Sequence, residues 1–183
     1  MLMWEGMILA GIIPLLLIVL LLVLLAKQFG GTITTYVTDT HFDYTNLESG
    51  RLVPAEPETA TRLTVTLIVQ AYNSASSTRA VHNRHIAVKD KAGSLVRIEL
   101  LEQKQIERNG EKQEVKEPVD IINMPPGHMQ EWRLEGVMLS NQPNLKTPVA
   151  AFTDVTSFVF AYDVQKKKAG QTKKVTKSLQ HES

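Results

Sequence analysis

The sequence predicts an antiparallel β-sandwich of about seven short strands held behind a single N-terminal transmembrane helix. Three observations carry that reading. Apolar and polar residues alternate with period two at Leu63 to Ala71 and again at Phe158 to Val164. Turn residues recur about every 8 to 15 positions between such stretches. Before all of this lies an uncharged run, Met7 to Ala26, of twenty residues.

A helix rises about 1.5 Å per residue, so twenty residues cover roughly the 30 Å of bilayer hydrocarbon. The run holds nine Leu, four Ile and two Val. At about −0.3 to −0.6 kcal/mol each near mid-helix, these favour insertion by several kcal/mol. Leu15, Leu16, Leu17, Ile18, Leu20, Leu21, Leu22 and Leu24 are the expected lipid contacts. Gly11 and Pro14 sit in the first third, where a kink is tolerated in a single span. A cleaved signal would need a basic leader, a shorter apolar core and small residues before the cut. The leader MLMWEG has Glu5 and no Lys or Arg, and a cut after Ala26 would put Leu24 at the third position before it. The sequence therefore reads as leader 1–6, transmembrane helix 7–26, juxtamembrane linker 27–61, sandwich 62–164 and tail 165–183.

The linker opens on KQFGG, a charge at the interface and two helix-releasing glycines. It holds a β-rich candidate first strand over 33–38, but Pro54 and Pro57 mark 42–62 as an extended spacer. The compact body is expected to begin near Arg62. Leu63, Val65, Leu67, Val69 and Ala71 should then face a core. After the turn cluster NSASST, Ile86 and Val88 share a face before Asp90 and Gly93 turn the chain.

Residues 95–108 read either as a helix, from good helix formers in ELLEQKQIER, or as the first arm of a hairpin. Asn109 and Gly110 favour the hairpin, because both tolerate positive φ. Pro125, Pro126 and Gly127 introduce a strand with Trp132 and Leu134 on one face. In the last strand Phe158, Phe160, Tyr162 and Val164 share one side.

Composition narrows function. With no Cys, disulfide frameworks, thiolate zinc sites and cysteine nucleophiles are excluded. Twenty basic and nineteen acidic residues nearly cancel, yet six of the lysines lie in the last nineteen positions. Lys166, Lys167, Lys168, Lys173, Lys174 and Lys177 predict a disordered, solvated tail. Without Arg or stacking aromatics it offers nucleic acid nothing but nonspecific attraction, so no nucleic-acid partner is expected.

No G-x-S-x-G, G-x-x-x-x-G-K-[ST] or G-x-G-x-x-G string occurs, and the paired carboxylates Glu56/Glu58 and Glu114/Glu117 stand in hydrophilic contexts. No enzyme and no cofactor are predicted. Asp39, His41 and Asp43 would share one strand face and are the candidate metal ligands, although no fourth ligand is evident. His82 and His85 should point to opposite faces and lie exposed.

The positions Asn73, Asp90, Gly93, Pro126, Gly127 and Trp132, spread over about a hundred residues, resemble the bacterial FxLYD-type and water-stress-domain immunoglobulin-like modules. In those, a strand ends in Asn, a second ends in an Asp-x-x-Gly turn, and a Pro-Gly turn introduces an aromatic-bearing strand. The F-x-L-Y-D string itself reads IAVKD here, at Ile86 to Asp90. The resemblance implies an immunoglobulin-like sandwich with a non-catalytic binding role, mostly facing away from the cytoplasm.

Charge beside the span argues the other way, since Lys27 is on the C-terminal flank and the leader has none. The expectation adopted is a single-pass inner-membrane protein with an extracytoplasmic domain. It would serve as an accessory or assembly subunit docking onto another membrane or envelope protein. Its rival is a membrane-tethered sensor of a metal or small ligand. Oligomeric state is not legible.

Overall fold

The computed structural model describes residues 14–23, 31–89, 95–108, 110–141, 148–152, 157–165 and 172–179. Residues 14–23 form a helix, α1, in which Leu15 to Val23 are between 48% and 62% exposed. The rest of the expected 7–26 span, Leu24 included, lies outside the described residues. Among those described, no helix is long and apolar enough to cross a membrane.

Ten strands follow where about seven were expected. They are β1 (Ile33–Glu48), β2 (Arg51–Pro54), β3 (Arg62–Asn73), β4 (Arg79–Lys89), β5 (Leu95–Arg108), β6 (Glu111–Pro118), β7 (Ile122–Met124), β8 (Met129–Leu139), β9 (Phe158–Gln165) and β10 (Thr172–Ser178). A short 3₁₀ turn at Val149–Ala151 precedes β9. Every pairing is antiparallel, in the order β10-β9-β4-β5-β8-β3-β1-β2, with β6 added to β5 and β7 to β4.

The sheet folds over at β5. Leu95 to Glu99 pair with β4, whereas Leu100 to Glu102 pair with β8, so one strand belongs to both layers. One layer is β4, β7, β9 and β10, and the other is β1, β2, β3, β6 and β8.

Between the layers sits the core. Leu63, Val65, Leu67, Val69 and Ala71 are completely buried, as the alternation requires. Trp132 and Leu134 on β8, Ile86 and Val88 on β4, and Phe158, Phe160 and Tyr162 on β9 are buried with them. The Tyr162 ring meets Trp132 edge-on, with centroids 6.5 Å apart. The stretch 95–108 is strand, and the β5–β6 hairpin turns through Gly110 at φ 81°.

Two expectations are corrected. Residues 33–54 are part of the sandwich and not a spacer, because β1 pairs with β3 from Ile33 to Thr45. The Lys-rich end is not wholly disordered, because β10 pairs with β9 from Thr172 to Ser178. Leu179, 1% exposed, pins that strand, and its amide donates to the Phe158 carbonyl at 3.1 Å. Lys166, Lys167 and Lys168 lie outside the described residues.

Candidate functional site

β1 begins with Ile33 and Thr35 buried and Val37 packed on the core. At Thr38 its register against β3 slips, so Val37 faces Val69 while Asp39 faces Ile68. That β-bulge inverts the phase of the strand. Beyond it Phe42 and Tyr44 turn inward, with Phe42 edge-on to Phe158 at 5.2 Å and the Tyr44 hydroxyl donating to the Phe152 carbonyl at 3.0 Å. Burial, then the nearby Glu58, pushes the Tyr44 hydroxyl up from its ordinary pKa.

The same inversion turns Asp39, His41 and Asp43 outward together, on the face the sequence placed them. His41 Nε2 and Asp43 Oδ1 lie 2.9 Å apart, both well exposed. No group of three His, Asp or Glu side chains among the described residues is arranged to hold a metal ion.

On its second side β1 is covered by β2 from Thr45 to Glu48, and Ala55 donates to the Tyr44 carbonyl at 3.0 Å. From Ile33 to Asp43, no described strand pairs with that edge. The other long edges are guarded. β6 carries Glu111, Glu114, Glu117, Lys112 and Lys116 and ends in Pro118, and β10 carries Lys173, Lys174 and Lys177. The free part of β1 holds Ile33, Tyr36, Val37, Phe42 and four threonines, residues that favour strands, with Asp39, His41 and Asp43 beyond the bulge.

At the far end of β1, Leu47 and Leu52 face each other across the β1–β2 hairpin, 68% and 51% exposed. With Leu139 and Arg62 they line a cleft of about 440 Å³. At the near end, Tyr36, Tyr72 and Met129 stand exposed on the same outer face, Tyr72 directly opposite Met129.

A buried charge cluster escaped the sequence reading. Between His82 and His85, β4 slips against β9, and Asn83 takes a φ of 57°. This second bulge turns Arg84 into the core, where its guanidinium lies 4.7 Å over the Trp132 ring. Its Nη2 donates to Glu102 at 3.1 Å and to the Asp120 carbonyl at 3.2 Å. Burial pulls Arg84 below the usual arginine range, with Glu102 opposing. Arg84 Nε and Nη1 and Trp132 Nε1 are buried without a partner among the described residues.

His85 is also buried, 4% exposed, which corrects the expectation of an exposed histidine. Its Nδ1 is 2.8 Å from the Asn83 carbonyl, and burial lowers its pKa against that bond.

Among the turn residues, Asn73 does most. Its side-chain amide donates to the carbonyls of Ser77, Met124 and Pro125, and its Oδ1 accepts from the Ala75 amide. The Gly127 amide donates to the Asn73 carbonyl at 2.8 Å, with Gly127 at φ 70° after Pro126. Asp90, Gly93 and Asn109 lie outside the described residues.

The model of the YopI Ig-like domain matches residues 31–178. The chain belongs to that family. The match runs from Gly31 through β10, so this YopI Ig-like domain includes the three strands, β1, β2 and β10, that fall in the expected linker and tail. It supports an immunoglobulin-like module, and it does not show the FxLYD type.

Among solved structures, the YopI Ig-like chain is similar to a protein described as ApaA from Bordetella pertussis, at 13% identity over 80% of this chain and 88% of that one, with TM-score 0.37. The sporulation control protein Spo0M from Bacillus subtilis is similar at 10% identity over 81% of this chain and 48% of that one, TM-score 0.35. An uncharacterized β-sandwich protein from Clostridium difficile 630 is similar at 8% identity, 79% and 85% coverage and TM-score 0.37. Likenesses this loose bear no functional weight. Among curated proteins, none matches.

Proposed function

We propose that this YopI Ig-like domain is the docking part of a membrane-anchored accessory or assembly subunit, and that it binds a partner protein by strand addition at β1. The observation that carries the reading is the unpaired edge from Ile33 to Asp43. A partner strand laid there gains main-chain hydrogen bonds, and alternate side chains supply selectivity. The bulge at Thr38 limits indiscriminate pairing by interrupting the edge midway.

The anchor is part of the same proposal. Supporting it are the uncharged run Met7 to Ala26 and the exposure of every large apolar side chain from Leu15 to Val23 along α1. The domain is placed outside the cytoplasm, beside another membrane or envelope protein. Binding and not catalysis is the assigned role.

The test is site-specific photo-crosslinking in native membranes, with benzoyl-phenylalanine in place of Thr38, Lys112 or Lys174. The same neighbouring protein should be captured from position 38 and not from the guarded edges. Capture from all three alike, or of no protein from position 38, contradicts the proposal.

A further inference from the structure

We infer that Tyr36, Tyr72 and Met129 form a contact surface for the lipid headgroup region, so that the sandwich leans on the bilayer that anchors it; this rests on the anchored reading above. Their placement is the first argument. Ile33 pairs with Asn73 and Thr34 with Tyr72, so Tyr72 is one register step from the point where the chain enters the sheet. Met129 is directly opposite Tyr72 on β8, and Tyr36 is diagonal to it on β1. The three make a continuous row across the outer face, 62%, 39% and 66% exposed in chain order.

The tether is short. From Val23, the last described residue of α1, to Gly31 there are eight residue steps. At about 3.3–3.6 Å each, a fully extended chain spans less than about 29 Å, so the entry end of the sheet stays near the end of α1. At Gly31 the chain passes so close to the Ser74 backbone that a Cβ there would collide with its carbonyl. The row therefore belongs to the anchor-proximal end, whereas Leu47 and Leu52 belong to the distal one.

Chemistry selects lipid as the occupant. Tyrosine pairs an apolar ring with a polar tip, the combination favoured where acyl chain meets headgroup, and Met is flexible and apolar. Thr34 and Gln70 beside the row are uncharged. Of the acids near the row, Glu131 is held by Arg133 at 3.1 Å, and Asp39 lies beyond the bulge at Thr38.

The absence of Cys makes the test direct. A nitroxide is placed on the full chain at Met129→Cys or, as a distal control on the same face, at Leu52→Cys. The chains are reconstituted in phosphatidylcholine–phosphatidylglycerol vesicles. Collision with oxygen, which concentrates in lipid, is compared with collision with a water-soluble nickel chelate. The oxygen-to-nickel ratio should be several-fold higher at position 129 than at 52, and Tyr36→Ser with Tyr72→Ser should bring it down to the distal value. Equal ratios in vesicle-bound chains overturn the inference alone. A label at 129 hidden from both reagents overturns it in favour of a protein contact. Chains that fail to float with the vesicles remove the anchor, and the inference with it.

Discussion

Arg84 reaches from β4 in one layer to Glu102 and Trp132 in the other, and it does so almost without contact with water. A pair so buried pays a desolvation penalty that can exceed its attraction, while removal of one partner leaves the other charged and stranded. Glu102→Ala should therefore cost about 3–5 kcal/mol in urea unfolding of the detergent-solubilised chain. Arg84→Met combined with Glu102→Leu should restore wild-type stability or exceed it by about 1–4 kcal/mol. A double variant as weak as the single one would contradict this account of the cluster. None of it was legible beforehand, because alternation assigns faces only while a strand stays regular. Asn83, in its left-handed conformation, breaks that regularity and swings Arg84 inward.

Elements with one uniformly apolar face were legible. β3 and β9 present aliphatic or aromatic residues at nearly every second position and β8 does so at Trp132, Leu134 and Met138, and the period alone places their buried sides. β1 was only partly visible, since its bulge at Thr38 moves the inward set from Ile33, Thr35 and Val37 to Phe42 and Tyr44. The inversion also hid which strand would leave an edge unpaired. β10 was missed for another reason. TKKVTKS is an edge strand with almost no buried side chain, so its composition is that of a solvated tail.

Hydrogen bonding to β9 and the anchoring Leu179 give β10 a testable protection. Brief trypsin treatment of the folded chain should leave the bonds after Lys173, Lys174 and Lys177 largely intact, and Leu179→Ala should speed their cleavage about as far as it destabilises the strand, with roughly 2–5 kcal/mol available from such a truncation. Cleavage of the wild-type chain there as fast as in a denatured control would show a free tail.

At the scale of the whole molecule, the parts form one sequence of causes. A long apolar run precedes a two-layer body whose first strand leaves an edge unpaired, and the chain joining them is too short to let that strand's start move far from the run. On the anchored reading proposed above, a partner reached by strand addition at β1 would be met near the bilayer. The groove at the distal hairpin, lined by Leu47, Leu52, Leu139 and Arg62, lies at the opposite end of the face. The most direct measurement of the central claim is alkaline carbonate extraction of membranes carrying either the full chain or a chain starting at Gly31. The full chain should stay with the membrane pellet and the shortened one should appear in the supernatant as folded β-protein. Release of the full chain by carbonate would contradict the account.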